Sequence, residues 1–498
     1  MKQLIHNGIL FPKYEPRGFK ITAQRNLVAL TPQQEEMAVA WVKKLGTEYV
    51  EDPVFVRNFF GDFCKALRLD RNLGSEDFDF SEIVRYVERE KAKRLSMSKD
   101  EKKRLAAERK AVREANREKY GRAIVDGEKV DLGNYMAEPS CIFMGRGKHP
   151  LRGKWKQGPS EADVILNLSP DAPRPLGNWK EIVWQPDFMW VAKWDDKLGG
   201  EEKYVWLADS SSVKQERDIE KYDRAIALDR KIGELRAHIS ANLAASDLKR
   251  RKIATVAYLI DTLKLRVGDE KDRDEADTVG ATTLRPEHIK IRDDGRVMFD
   301  FLGKDSVRWC KEVELPPPVV DNFREFMTDA RSSIFQGVRS DNMKDFLSEV
   351  VPDLSAKVFR TYHASKVVDE YLKTAKVSKE DPDYVKKSVA AFANLEAAMV
   401  CNHKRKLPKN WENSLAKKIE RLKVLKTKRT RKSAEAVKAL KLKIKTMKAT
   451  RDYNLGTSLK SYIDPRLYYR WGKRVDFDWK LYYPKTLQRK FSWIEKNP

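Results

Sequence analysis

The segment Val54-Phe-Val-Arg-Asn-Phe-Phe-Gly-Asp-Phe63 sets apolar side chains three to four residues apart, which predicts a helix with one buried face. Ahead of it, residues 1–15 read as a short extended lead, with Pro12 and Pro16 near its end. From about 82 to 120 the pattern is helical and highly charged, and Ser98 and Glu101 stand at capping-box spacing. Residues 130–210 read as strands and loops, rich in tryptophan and proline, as in Pro170-Asp-Ala-Pro-Arg-Pro-Leu-Gly177. Helical spacing returns over 213–265 on Ile219, Tyr222, Ala225, Ile226 and Ile232.

Strict alternation then takes over. Ile289-Lys-Ile-Arg292 and Val297-Met-Phe-Asp-Phe-Leu302 flank Asp294-Gly295, a strong hairpin signal. A second turn at Gly303-Lys304-Asp305 leads into Ser306-Val-Arg-Trp309, so Lys304 sits at a tight strand-to-strand turn. Residues 320–408 are mostly helical. Over 411–451 glycine and proline vanish, and Leu415, Ile419, Leu422, Val437, Leu440, Ile444 and Met447 keep a three-four spacing. Lys426-Thr-Lys-Arg-Thr-Arg-Lys-Ser433 interrupts it, which predicts two helices folded back as a basic antiparallel coiled-coil hairpin. Residues 452–498 regain aromatics and read as a small folded unit. The whole is an α+β pattern.

Length and charge narrow the partners. With 498 residues, 41% hydrophobic, the chain has enough apolar material for two or three domains. No apolar run is long enough for a membrane span, and the first residues lack a signal-peptide core, so a soluble intracellular protein is expected. Cys64, Cys141, Cys310 and Cys401 stand far apart, and four reduced, mostly buried thiols are expected rather than a zinc site or disulfide framework. A net charge of +25 on a sequence with 12 tryptophans belongs to a folded body with a polyanionic partner, DNA or RNA before a membrane surface.

Phe143-Met-Gly-Arg-Gly-Lys-His-Pro150 fits a loop that approaches a phosphate backbone closely, and it lacks P-loop spacing. Metal-free phosphodiester cleavage needs an in-line nucleophile, cations on the non-bridging oxygens and an acid for the leaving oxygen. Arginine suits the clamp, because its planar fork matches two phosphate oxygens. Tyrosine suits a reversible nucleophile, because its phosphate ester is close in energy to the diester it replaces. Spacing alone selects no such set from 100 Lys and Arg and 17 Tyr residues.

Ordered motifs make the selection. Leu455-Gly-Thr-Ser-Leu-Lys-Ser-Tyr-Ile-Asp-Pro-Arg466 resembles the active-site tyrosine motif of eukaryotic-type DNA topoisomerase IB. Leu265-Arg-Val-Gly-Asp-Glu-Lys271, Asp277-Thr-Val-Gly280, Phe299-Asp-Phe-Leu-Gly-Lys-Asp-Ser306, Lys357-Val-Phe-Arg-Thr-Tyr-His-Ala-Ser365 and Cys401-Asn-His403 resemble the rest of that family's site, in order. The resemblance implies that Tyr462 attacks and joins the DNA 3′ phosphate. It implies that Arg266, Arg360 and His403 hold the non-bridging oxygens and that Lys304 protonates the leaving 5′ oxygen. Arg146, Lys148, Asp305 and Thr457 fall at positions expected to lie near DNA.

The resemblance further implies a two-lobed clamp on double-stranded DNA, acting as a monomer without metal, ATP or other cofactor. One lobe covers 1–212, with a cap inserted near 16–96. An α-rich catalytic lobe covers 213–408, a coiled-coil linker 409–452, and a C-terminal domain 453–498 carries Tyr462. Two alternatives stay open: a tyrosine site-specific recombinase and a non-catalytic basic chromatin protein. Where the family has a lysine three residues before the tyrosine, this chain has Leu459 followed by Lys460. Ser461 and His363 both replace the usual asparagine. The linker looks shorter than in the nuclear enzymes and their long charged N-terminal extension is missing, which points to an archaeal or otherwise compact member, in the cytoplasm on the chromosome if archaeal and in the nucleus if eukaryotic.

Overall fold

The computed structural model describes residues 1–69, 73–145, 147, 149–268, 278–304, 307–328, 330, 332–428 and 430–497. It mixes helix and sheet, as the two periodicities predict, and its described residues divide into two compact units, 1–214 and 215–498.

The first unit opens with β1 (Leu4–His6), the hairpin β2 (Lys20–Ala23) and β3 (Asn26–Ala29), α1 (Pro32–Val42) and α2 (Pro53–Ala66). The predicted core helix is α2: it buries Phe55, Phe59, Phe60 and Phe63, and Trp41 of α1 stacks on Phe59 with centroids 4.7 Å apart. Next come β4 (Phe78–Asp79), α3 (Ser81–Ser96) and α4 (Lys99–Tyr120). The α4 N-terminus carries the predicted box, with Glu101 N–H donating to Ser98 Oγ at 3.2 Å and Ser98 N–H to Glu101 Oε2 at 2.7 Å.

Strands then dominate: β5 (Arg122–Val125), β6 (Glu128–Asp131), β7 (Cys141–Ile142), β8 (Trp155–Lys156), β9 (Ile165–Asn167), β10 (Glu181–Val183), β11 (Trp190–Asp195) and β12 (Glu202–Trp206). The expected lead is part of this body. β1 pairs antiparallel with β5, burying Leu4 and His6, and His6 Nε2 meets the Asn167 carbonyl at 2.9 Å. Burial pushes the His6 imidazole down to about 4.

Helix α5 (Ser212–Asn242) and α6 (Leu248–Leu263) begin the second unit's architecture. An antiparallel sheet follows, β13 (Ile289–Ile291), β14 (Arg296–Gly303) and β15 (Val307–Glu314), in the order β13-β14-β15. Gly295 takes φ +82 in the first turn, the left-handed region where glycine costs least. Then come α7 (Pro317–Thr328), α8 (Ser340–Ser348), α9 (Ala356–Thr374) and α10 (Asp383–Val400). One core joins α5 and α6 to the sheet and to α7–α9; Phe301 stacks on Trp309 at 5.3 Å within it.

Helices α11 (Trp411–Thr427) and α12 (Arg431–Ala449) pack along each other as a helical hairpin. The chain ends with α13 (Leu455–Ser461), α14 (Pro465–Val475) and α15 (Lys485–Lys490), whose aromatics share a second core with α9 and α10. The cysteine expectation needs correcting: all four are free, but Cys141 and Cys310 are exposed, because each sits on a short or solvent-facing strand position. Among the described residues, no helix is long and apolar enough to cross a membrane.

Candidate active site

Backbone pairing brings Arg266 and Lys304 together. Helix α6 stops at Lys264, which adopts φ 57, and Leu265 and Val267 then turn inward while Arg266 stays half-exposed. The Arg266 carbonyl accepts from Ala281 N–H at 2.8 Å, and Val279 N–H donates to the Leu302 carbonyl at 2.7 Å. The crossing is tight: a Cβ on Gly280 would lie 2.4 Å from Gly268 Cα, so only glycine fits there. Arg266 is thereby laced to β14, and Lys304 follows β14 at the turn, where Gly303 pairs with Val307.

Arg360 arrives from the first half of α9, buried to 6% exposure. Its Nη1 donates to the Lys264 carbonyl at 2.7 Å and its Nη2 to the Cys401 carbonyl at 2.7 Å, while Nη2 lies 3.1 Å from His403 Nε2. Its Nε is buried and has no partner among the described residues. His403 follows the left-handed residue Asn402 at the end of α10, and its N–H donates to the Ala398 carbonyl at 2.8 Å. Burial first, then the charges of Arg360 and Arg266, push the His403 imidazole down to about 3, so the ring is neutral at physiological pH.

The chain returns to this point after the helical hairpin. Lys404 bridges Tyr453, Arg405 N–H donates to the Asp452 carbonyl at 3.0 Å, and Asn454 N–H to the His403 carbonyl at 2.7 Å. Helix α13 therefore starts beside His403, held also by Asn394 of α10, whose amide reaches the Leu455 carbonyl at 3.1 Å. His403 Nδ1 meets Ser458 Oγ at 2.8 Å.

Tyr462 ends α13. Its ring centroid lies 5.1 Å from that of His403, and the Arg360 guanidinium carbon lies 5.1 Å from the same ring. Ser365 of α9 pins the backbone on both sides, donating to the Tyr462 carbonyl at 3.3 Å and accepting from Asp464 N–H at 3.0 Å. Just beyond, Arg466 clasps the Asp464 carboxylate and reaches Asp223 of α5 at 2.8 Å.

Arg266, Lys304, Arg360, His403 and Thr457 all line one open cleft, with Lys264 and Lys404 beside them. No carboxylate is among its described lining residues, so the cleft attracts an anion, and forked guanidinium donors match phosphate oxygens. Tyr462 is not part of the cleft wall; it lies against two residues that are. Arg146, Lys148 and Asp305 lie outside the described residues. Among those described, no group of three or more His, Cys, Asp or Glu side chains is placed to hold a metal ion.

Several contributors escape sequence reasoning. The carbonyls of Lys264 and Cys401 that fix Arg360 carry no side-chain signal, and Ser458 and Ser365 are common residues whose roles depend on three-dimensional pairing. The shifted lysine has a packing reason. Leu459 is buried in the second core, and Lys460 faces solvent. His363, one turn from Arg360 on α9, makes a buried bond through Nε2 to Asp261 Oδ1 at 2.8 Å, and Asp261 also takes Arg236 at 2.7 Å.

Comparison with known proteins covers the entire chain. The family model described as "Eukaryotic DNA topoisomerase I, DNA binding fragment" matches residues 1–207, the "catalytic core" of the same family 210–436, and the "C-terminal topoisomerase domain" 434–498. The DNA topoisomerase 1 beta of Arabidopsis thaliana is 36% identical over 99% of this chain and 58% of its own length. The mitochondrial DNA topoisomerase I of Rattus norvegicus is 34% identical over 99% of this chain and 90% of its own. The Homo sapiens DNA topoisomerase 1 is 33% identical over 99% of this chain and 70% of its own. This chain thus spans somewhat over half the length of the Arabidopsis relative. These relatives are eukaryotic, and the archaeal placement gains no support from them. The chain belongs to the eukaryotic DNA topoisomerase I family.

Proposed function

We propose that this protein relaxes supercoiled duplex DNA by cutting and rejoining one strand through Tyr462. The observation that carries the reading is the gathering of Arg266, Lys304, Arg360 and His403 around one cleft, with the Tyr462 ring 5.1 Å from two of them. In this reading the Tyr462 oxygen attacks the phosphorus, releasing its proton to solvent, and the 5′ oxygen departs with a proton from Lys304. Arg266, Arg360 and His403 hold the non-bridging oxygens, where charge concentrates. The 3′-phosphotyrosyl ester conserves the energy of the diester, so the free 5′ hydroxyl reseals the strand without ATP. Between the two steps the cut strand rotates about the intact one and releases turns of either sign.

Residues 1–212, with the cap near 16–96, form one lobe of a clamp on the duplex, and 213–408 form the other. The hairpin 409–452 is a coiled-coil linker that returns the domain 453–498 and Tyr462 to the cleft. The protein acts as a monomer, with the nucleus as its compartment.

The test is relaxation of a supercoiled plasmid in EDTA without ATP, comparing wild type with Tyr462→Phe. The wild type relaxes both negatively and positively supercoiled circles, and the variant relaxes neither. Binding without relaxation by both proteins is the outcome for a chromatin protein; strand exchange between duplexes at fixed sequences is the outcome for a recombinase.

A further inference from the structure

His403 is held in a state that cannot serve the role just proposed for it. A guanidinium has only donors, so the 3.1 Å approach of Arg360 Nη2 to His403 Nε2 requires Nε2 to carry no proton. The neutral ring then keeps its one N–H on Nδ1, donating to Ser458 Oγ at 2.8 Å. A phosphate oxygen is an acceptor, so His403 helps it only with the proton on Nε2, the nitrogen turned toward the cleft-lining Arg360. Charging the ring is no solution, because burial beside two arginines opposes a second proton.

We infer that Ser458 is the positioning residue that lets His403 change tautomer when phosphate enters the cleft, accepting from Nδ1 in the free protein and donating to it in the DNA complex. The observation that singles it out is its place. Ser458 is fully buried on α13, one turn before Tyr462, and its hydroxyl meets the nitrogen opposite the one that faces Arg360. A hydroxyl donates and accepts through the same atom, so a rotation of its hydrogen suffices to reverse the bond. The proton count balances. Solvent in the open cleft delivers one proton to Nε2 and takes up the one lost from Nδ1, the ring stays neutral, and the Ser458 hydrogen rotates onto the vacated Nδ1 lone pair. Arg360 stays in place on the Lys264 and Cys401 carbonyls, and a phosphate oxygen entering between it and the ring accepts from Nη2–H and from the new Nε2–H together. The same helical turn thus carries the nucleophile and the group that readies His403, so α13 docking and site assembly are one event.

This inference rests on the proposed cleavage chemistry, and two measurements separate the two. The first is ¹⁵N NMR of the histidine-labelled full chain, with the His403 signals assigned by loss in His403→Gln. Free protein shows the proton on Nδ1; the Tyr462→Phe protein bound to a duplex oligonucleotide shows it on Nε2. The same tautomer in both states overturns the inference. The second is single-turnover cleavage of a duplex whose cut product cannot religate. Ser458→Ala slows covalent-complex formation about 10- to 100-fold, the scale of the loss when a partner that orients a metal-ligating histidine is removed. In a His403→Gln background the same substitution adds less than about twofold, and Ser458→Thr restores most of the rate. An equal loss in both backgrounds makes Ser458 a packing residue and overturns the inference, while failure of the wild type to cleave rejects the cleavage reading itself.

Discussion

The guanidinium carbon of Arg360 lies 5.1 Å from the centre of the Tyr462 ring, although the two residues are about a hundred positions apart. Arg360 is anchored by two carbonyls, so it presents a fixed positive charge beside the phenol. A fixed charge in this place stabilises the negative charge that builds on the phosphoryl oxygens as the strand is cut. Arg360→Lys retains the charge but loses the fork that spans the Lys264 and Cys401 carbonyls. Single-turnover cleavage is expected to fall by about 10²–10³-fold, with duplex affinity changed by less than about threefold. Filter binding and cleavage measured on one protein preparation check both halves.

Lys304 follows β14 into a strand-to-strand turn beside Arg266, the placement expected of the acid for the leaving oxygen. Lys304→Ala is expected to slow cleavage by about 10²–10⁴-fold. A substrate with sulfur at the 5′ bridging position needs no acid, since a thiolate leaves unprotonated. The variant and the wild type therefore cleave that substrate at similar rates. A variant that stays slow on it places Lys304 elsewhere in the mechanism.

Buried histidines give the stability a defined pH dependence; burial also pushes the His363 imidazole down, in the same direction as the two with the larger shifts. His6 is held near 4 by burial, and His403 near 3 by burial with Arg360 and Arg266, against about 6.5 in an unfolded chain. Both folded values are lowered, so the unfolded state takes up protons first as pH falls. The stability they contribute is complete above about 6.5 and is lost as pH drops toward 4 and then 3, at up to about 1.4 kcal/mol per pH unit for each ring. Urea unfolding between pH 7.5 and 4.5 should show this decline, and His403→Gln should flatten part of it.

How much of this was legible beforehand depends on where the signal lives. Alternation and Asp294-Gly295 predict the first hairpin, and Gly303-Lys304-Asp305 puts Lys304 at the next turn, because strand pairing and turn chemistry are local. The neighbourhood of Arg266 and Lys304 is not local: it depends on Val279 and Ala281 threading between them, and on Gly268 and Gly280 touching where side chains cannot fit. The pairing of His403 with Ser458 spans a whole helical hairpin whose ends close at Lys404 and Tyr453. The role of Tyr462 came from resemblance of motifs. What places it beside Arg360 is Ser365 and the Asp464–Arg466–Asp223 ion pairs, which no spacing reveals. Residues 1–15 read as a lead because a three-residue strand such as β1 leaves too short an alternation to recognise.

Lys423, Lys426 and Lys428 are exposed near the turn of the α11–α12 hairpin, away from the face where Thr446 of α12 meets Ser388 of α10, so their charge can be removed without touching the packing beneath the cleft. Lys423→Gln, Lys426→Gln and Lys428→Gln together should lower the slope of log affinity against log salt by up to about three, about one for each phosphate no longer neutralised. Cleavage by bound protein should change less than about twofold. A slope equal to that of the wild type means that these lysines do not meet DNA.

The central claim is that Tyr462 becomes joined to the 3′ phosphate of a cut strand. The most direct measurement traps the adduct with denaturant on duplexes labelled at either end of the cleaved strand, then maps the modified tryptic peptide by mass spectrometry. The account predicts that only the 5′ label stays with the protein and that the nucleotide sits on the peptide Ser461–Arg466, at Tyr462. Retention of the 3′ label, or attachment to any other residue, contradicts it.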